Sequence, residues 1–202
     1  MKDFYQDLVT QASWDLFVKL RKEINCVLIG GWAVYLYTSA LKSKDIDIII
    51  DFSALDRLKQ KYDVNKNEHL RKYEIKREGI DIDIYVPYYS VLALPVEEIL
   101  KFSVLYKKIN TIKKELLLIL KQRAYFQRKA AVKGQKDKVD IISLVRLPDF
   151  DFAFYRNILK KYQLENYLTM LRDILKETKE VPELSLNQHQ FSRLKKEILK
   201  HV

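Results

Sequence analysis

Four aspartates stand where a β-strand resists them. The stretch "DIDIII" carries Asp45 and Asp47, and "IDIDIYV" carries Asp81 and Asp83. Aspartate is depleted in strands, yet both stretches otherwise read as strands of isoleucine. Side chains alternate across a strand, so Asp45 and Asp47 share one face while Ile46, Ile48 and Ile50 share the other. The same alternation sets Asp81 and Asp83 against Ile80, Ile82 and Ile84. If the strands are neighbours with their isoleucines in the core, all four carboxylates gather on one face and repel. Alternate residues lie roughly 6.5–7 Å apart and neighbouring strands roughly 4.8 Å apart, gaps that side chains can close around one or two divalent cations. The donors are hard oxygens, which suits Mg²⁺ (or Mn²⁺) completed by substrate phosphates. A solvent-facing sheet with aspartates that discourage edge pairing accounts for one such pair; two pairs favour the metal.

A phosphate site fits the same stretch. The chain has four glycines, and Gly30-Gly31 stand together between a short apolar strand, "CVLIG", and a helix beginning "WAVYLYTSA". A strand that ends in Gly-Gly at a helix start exposes backbone N–H groups with no Cβ in the way, and the helix dipole favours an anion there. Further on, Lys121 and Arg128 are seven residues apart on a helix expected from Glu115, so they share a face, and Lys114 would extend the row. Asp137 and Asp140 share a face of the next helix, where Lys133 and Lys136 are their i,i+4 or i,i+3 neighbours; a site role is equally open to them.

The elements that must hold these residues follow from the pattern. Residues 3–24 read as an amphipathic helix through Phe4, Leu8, Trp14, Phe17, Val18 and Ile24. "SALDRLKQKYD" reads as a helix with Ser53 as N-cap. "KYEIKRE" and "IDIDIYVPY" flank Gly79 as a hairpin, and everything from Val96 onward reads helical. The fold class is therefore α+β: a small mixed sheet with flanking helices, followed by a helical C-terminal half. A boundary near residues 95–105 divides a sheet domain, 1–100, from a helical domain, 101–202, packed on it.

Composition narrows the setting. Cys26 is the only cysteine, so no intrachain disulfide can form, and a buried structural thiol is the expected role. The uncharged run from Cys26 to Leu41 is too short to span a bilayer, and no secretory signal core is visible, so the expected location is cytoplasmic with no membrane partner. His69, His189 and His201 are scattered and suggest no zinc site. The net charge of +10 is concentrated: residues 101–138 hold 12 basic and 2 acidic residues, while residues 1–100 sum to −2. Such a stripe suggests a polyanionic partner, although a solvated lysine-rich face gives the same count.

Taken in order, Gly30-Gly31, "KDID" and "GIDIDIYVP" resemble the signature of the nucleotidyltransferase superfamily, the polymerase-β-like fold. "LLLILKQRAYFQRKAAVKGQKDKVDIISLV" resembles the lysine-bearing and "KDxxD" helices of AbiEii/AbiGii toxin-like and archaeal members. The likeness covers roughly residues 26–146. Trp32 stands where many toxin-like members carry Ser or Thr; "GGWA" is similar instead to antibiotic nucleotidyltransferases. The resemblance implies metal-dependent transfer of a nucleoside monophosphate from an NTP to a hydroxyl, with pyrophosphate released. It implies that Asp45 and Asp47 hold the metals, with Asp83 rather than Asp81 as the third carboxylate, since Asp83 precedes two apolar residues as the family's third motif does. Gly30, Gly31, Lys44 and Lys121 would bind the nucleotide, and Lys121→Ala would weaken NTP binding while leaving the fold intact. Three functions stay open: transfer to RNA as a toxin-like component with an antitoxin partner, transfer to a small molecule or protein, and a non-catalytic nucleic-acid-binding module. An RNA acceptor would run along residues 101–138, over Lys107, Lys108, Lys113 and Lys114.

Overall fold

The computed structural model describes residues 7–202; Phe4 and the start of the expected first helix lie outside them. In chain order the elements are α1 (Asp7–Glu23), β1 (Val27–Ile29), α2 (Gly30–Thr38), β2 (Ile46–Ile49), α3 (Phe52–Lys59), β3 (Asn65–Asn67), β4 (Lys72–Arg77), β5 (Ile80–Tyr85) and α4 (Val96–Leu100). There follow β6 (Ser103–Tyr106), β7 (Ile109–Ile112), α5 (Lys114–Arg128), α6 (Val132–Val145), α7 (Phe152–Lys161), α8 (Asn166–Glu177) and α9 (Gln188–Ile198). The seven strands form one mixed sheet in the order β3-β4-β5-β2-β1-β7-β6. The expected α+β class and helical C-terminal portion are both present.

The two aspartate strands are neighbours. β2 and β5 run parallel, with Asp47 opposite Asp83 and Ile48 opposite Ile84. Ile46, Ile48, Ile82 and Ile84 are almost wholly buried, so the isoleucine faces turn to the core and the aspartates to the other side. The β4–β5 hairpin turns through Glu78 and Gly79, both at left-handed φ, the geometry that matches strand twist in a two-residue loop.

Helices in the C-terminal half are tied down by buried polar groups as well as apolar ones. Gln122 on α5 accepts a hydrogen bond from the Tyr155 hydroxyl at 2.7 Å and donates to the Tyr167 carbonyl at 2.8 Å, which joins α5 to α7 and α8. Glu115 accepts the Asp151 backbone N–H at 3.0 Å. Gln122 and Glu115 are thus satisfied by named neighbours, so they fix the packing of these helices. Trp32 on α2 is core: its Nε1–H donates to Ser13 at 2.9 Å and its ring meets Trp14. Cys26 is buried, as expected, and its thiol pKa is pushed up to about 11 by burial.

Three expectations need correction. Helix does not run unbroken from Val96: β6 and β7 form a hairpin that joins the sheet, with β7 parallel to β1. The boundary expected at residues 100/101 therefore falls inside the sheet, because β1 would otherwise be an open edge. Their turn, Lys107-Lys108, takes left-handed φ at both residues without glycine or asparagine, so the usual turn signal is missing. The N-cap of α3 is Asp51, whose carboxylate accepts from Ala54 N at 2.7 Å and from Ser53 Oγ at 2.8 Å; a carboxylate is the stronger acceptor. Among the described residues no helix is long and apolar enough to cross a membrane.

Candidate active site

β1 runs into α2 without a loop because Gly30 adopts φ +66, a backbone conformation open to glycine at little strain. The same residue clears room for chemistry. A Cβ on Gly30 would lie 2.0 Å from Asp47 Oδ2, so any side chain there would displace that carboxylate. Gly31 is equally confined, with Ser43 Oγ 2.6 Å and Lys136 Nζ 3.1 Å from where its Cβ would be. The glycine pair thus brings the α2 N-terminus down onto the aspartates.

Asp47 and Asp83 sit side by side at the floor of a cleft of about 290 Å³. Gly30 and Ile29 close one end. α5 contributes Lys121, Arg123, Gln127 and Arg128, and the opposite lip is formed by Leu70, Lys72 and the 91–93 loop. Burial raises the Asp47 pKa, and Asp45 adds to the rise, while Lys121 and Lys72 oppose it. Asp83 is pushed up to about 6, by burial first and by Asp47 second, with Lys72 pulling the other way. No hydrogen bond or ion pair reaches the Asp47 carboxylate among the described residues.

Other expected residues are placed as follows. Asp45 precedes β2; its carboxylate meets Lys133 Nζ at 2.9 Å and does not line the cleft. Among the described residues no three His, Cys, Asp or Glu side chains converge closely enough to hold a metal. Asp47 and Asp83 are therefore together, while Asp45 is close enough to raise the Asp47 pKa and is paired with Lys133. Asp81 lies opposite Lys76, further along the hairpin, and does not line the cleft. Neither does Lys44, which has no hydrogen bond or ion pair among the described residues.

Lys121 does face the carboxylates. It is 7% exposed and bonds Asp140 at 2.7 Å and Asp137 at 3.2 Å. Burial disfavours its charge, but Asp140 and Asp137 more than offset this, so its pKa stands above that of an ordinary lysine. Asp137 is held by Arg128 at 2.7 Å as well; those two cations outweigh burial and keep its pKa low. Lys136 pairs with Asp140 at 3.3 Å, as expected, and burial lowers its pKa. The expectation that Lys121→Ala spares the fold meets a cost: the ammonium sits inside a buried ion network, and its loss would leave Asp137 to Arg128 and Asp140 to Lys136 alone. Lys114 is no part of the row, because it turns to Asp149 at 3.1 Å.

The sequence reading missed Lys72 and Glu74. Lys72 Nζ lies 2.7 Å from Asp83 Oδ2 and 2.9 Å from Glu74 Oε1. Burial works against the Lys72 charge, yet its hydrogen bonds to Asp83 and Glu74 prevail and the pKa is raised. The signal was available: in "KYE", alternation puts both charges on the face of Asp83.

The chain resembles three solved structures in fold. A protein of H. pylori provisionally assigned as a nucleotidyltransferase is 16% identical, with 97% of this chain and 98% of that one covered at a TM-score of 0.49. JHP933 from Helicobacter pylori is 16% identical, covering 96% and 95%, at 0.46. An antigenic nucleotidyltransferase-like protein from Paracoccidioides brasiliensis is 17% identical, covering 83% and 93%, at 0.43. No family model matches the sequence, and no curated protein matches it.

Proposed function

We propose that the cleft transfers a nucleoside monophosphate from an NTP to a hydroxyl acceptor. One observation carries the reading: Asp47 and Asp83 lie in register on parallel strands, directly beneath a glycine whose missing side chain makes room for the Asp47 carboxylate. The chemistry of the donor set fits a divalent ion, because the groups are all carboxylate oxygens and Asp47 has no cationic partner in contact. Asp47 and Asp83 would hold Mg²⁺ or Mn²⁺, with Asp45 joining if it leaves Lys133. The ion supplies charge neutralisation for an in-line displacement at phosphorus.

The chain's own residues do the rest. Backbone N–H groups at Gly30-Gly31 face the triphosphate, since Trp32 is spent in the core and offers no hydroxyl. Lys121 neutralises phosphate charge from the α5 wall while Asp137 and Asp140 hold it still. Asp83, raised to about 6, is ionised at neutral pH and takes the acceptor's proton. The acceptor oxygen bonds to the α-phosphorus, the bond to the bridging oxygen breaks, and pyrophosphate leaves with its electron pair.

The test incubates the protein with each NTP labelled at the α-phosphate, a divalent ion and, separately, total RNA, small hydroxyl compounds or protein alone. Label from the α-position but not the γ-position should be retained on one class. A protein that binds NTP but transfers nothing to any class would be a binding module, and the transfer reading would fail. RNA labelling, joined to growth arrest on expression that Asp47→Asn relieves, would support the toxin-like form with its antitoxin partner.

A further inference from the structure

The two lysines on the cleft walls are held alike. Lys121 is clamped by two carboxylates of α6, and Lys72 by Asp83 and by Glu74. An ammonium has three donors, so each lysine has one left for a ligand. Glu74 is itself braced by Asn67 Nδ2 at 3.0 Å, and the Lys72 side chain is only 11% exposed. This is a fixed charge, already desolvated, at the carboxylate that faces the acceptor. One triphosphate engages the Gly30-Gly31 and Lys121 side. A second ammonium beyond Asp83 calls for a second phosphate.

We propose that Lys72 binds a phosphate belonging to the acceptor, so that the acceptor is a nucleotide or the end of a single-stranded polynucleotide rather than an uncharged hydroxyl compound. The inference rests on the transfer reading above. The surface beyond Lys72 suits such a ligand. Leu70 and Val91 form an exposed apolar lip. Outside it, Lys66 and Arg71 lie over the Tyr89 ring at 5.2 and 5.6 Å. Tyr88 is 82% exposed and held at φ +61, its N–H bonded to Glu97 at 2.9 Å. Cations interleaved with aromatic faces bind single strands by backbone charge and base stacking.

Within the basic segment 101–138, Lys121, Arg123 and Arg128 line the cleft, while other cations are engaged outside it. Lys113 lies over the Phe154 ring, Lys114 and Lys129 pair with Asp149 and Glu177, and Lys107 donates to the Leu36 carbonyl. None of the four lines the cleft. The proposed acceptor lies on the Lys72 side of the cleft, over β3 and β4.

The experiment compares three acceptors that share one terminal nucleoside: the nucleoside, its 5′-monophosphate and a short single-stranded oligoribonucleotide. Wild type, Lys72→Gln and Lys72→Arg are assayed with α-labelled NTP. Oligonucleotide binding is also read by fluorescence anisotropy in chelator, independently of turnover. The phosphate-bearing acceptors should be preferred. Lys72→Gln should raise their KM and the oligonucleotide Kd by about tenfold or more, shift the KM for NTP far less, and be partly rescued by Lys72→Arg. Loss of oligonucleotide binding in Arg71→Gln and Tyr88→Ala would identify a polynucleotide; oligonucleotide binding unchanged in both would identify a mononucleotide. A nucleoside that serves as well as its monophosphate would overturn the inference, and that comparison stands on wild type alone should Lys72→Gln not fold. So would a Lys72→Gln protein with unchanged acceptor KM and oligonucleotide binding. A wild type that neither binds NTP nor transfers label would instead sink the parent reading.

Discussion

The floor and the α5–α6 wall of the cleft handle charge in opposite ways. At the floor, Asp47 and Asp83, with Glu74 beside them, have one ion-pairing lysine among the described residues, Lys72. In the wall, Lys121, Lys136 and Arg128 surround Asp137 and Asp140. One region is short of positive charge and the other has it to spare. A phosphate chain carrying a divalent ion would answer both, the ion at the floor and the phosphates at the wall. Burial of charge is not by itself a sign of function: the ion pairs of the wall hold the fold even where Lys121 and Arg128 line the cleft, while the Asp47 carboxylate at the floor has no cation in contact among the described residues.

The strongest way to break this contrast is Asp47→Asn. Transfer should fall by about a thousandfold or more, since the group acts where charge develops. Stability in chelator should hold or rise, by up to ~1 kcal/mol, as a like-charge neighbour is removed. Urea unfolding beside the labelling assay reads both; a variant that unfolds would make Asp47 a structural residue like those of the wall.

Lys121→Met should show the reverse. Loss of the buried ammonium should cost about 3–5 kcal/mol of stability, because Asp137 and Asp140 remain buried. Asp140 Oδ1 already has no hydrogen-bond partner. Denaturant midpoints decide this, and an unchanged midpoint would mean that the ion pairs of the wall do not hold the fold.

The floor's excess should also appear as a pH dependence. Asp83 titrates near 6 in the fold against an ordinary 3.8. Between those values the folded protein holds a proton that the unfolded chain has released. Stability therefore falls as pH rises through that window and is level above it. The loss is at most about 3 kcal/mol, and Asp83→Asn should remove it. Unfolding at pH 4.5 and 7.5 in chelator checks the sign. A wild type that gains stability over Asp83→Asn as pH rises would contradict the arrangement.

The smallest effect belongs to Lys133→Ala. The Lys133 side chain is 54% exposed in its pair with Asp45, so stability should change by less than about 1 kcal/mol. If Asp45 is a third ligand held in reserve, divalent-ion affinity, read by calorimetry, should rise.

The parity of the aspartate strands was legible because a two-residue repeat leaves no other face for Asp47 and Asp83. The lysine helix was legible from seven-residue spacing. What lay hidden depends on contacts distant in sequence. Lys72 looks like any solvated charge on a hairpin until Asp83 is placed beside it. Helix spacing offered Lys133 to Asp137, four residues on, and left its pair with Asp45 across the fold unseen. β6 and β7 were read as helix because Lys107-Lys108 makes a left-handed turn without the residues that normally announce one. β3 was missed since "NKN" is a short polar edge with no apolar alternation.

The position of β1 bears on how the protein is made. This three-residue strand lies between β2 and β7, and Thr111 Oγ1 donates to the Leu28 carbonyl across 83 residues of chain. During synthesis, β1 and β2 leave the ribosome long before β7 exists. Until then the middle of the sheet is a bare, apolar edge, the kind that recruits foreign strands. A polypeptide halted at residue 100 keeps every aspartate of the floor, yet its sheet ends at β1 and is open to misassembly.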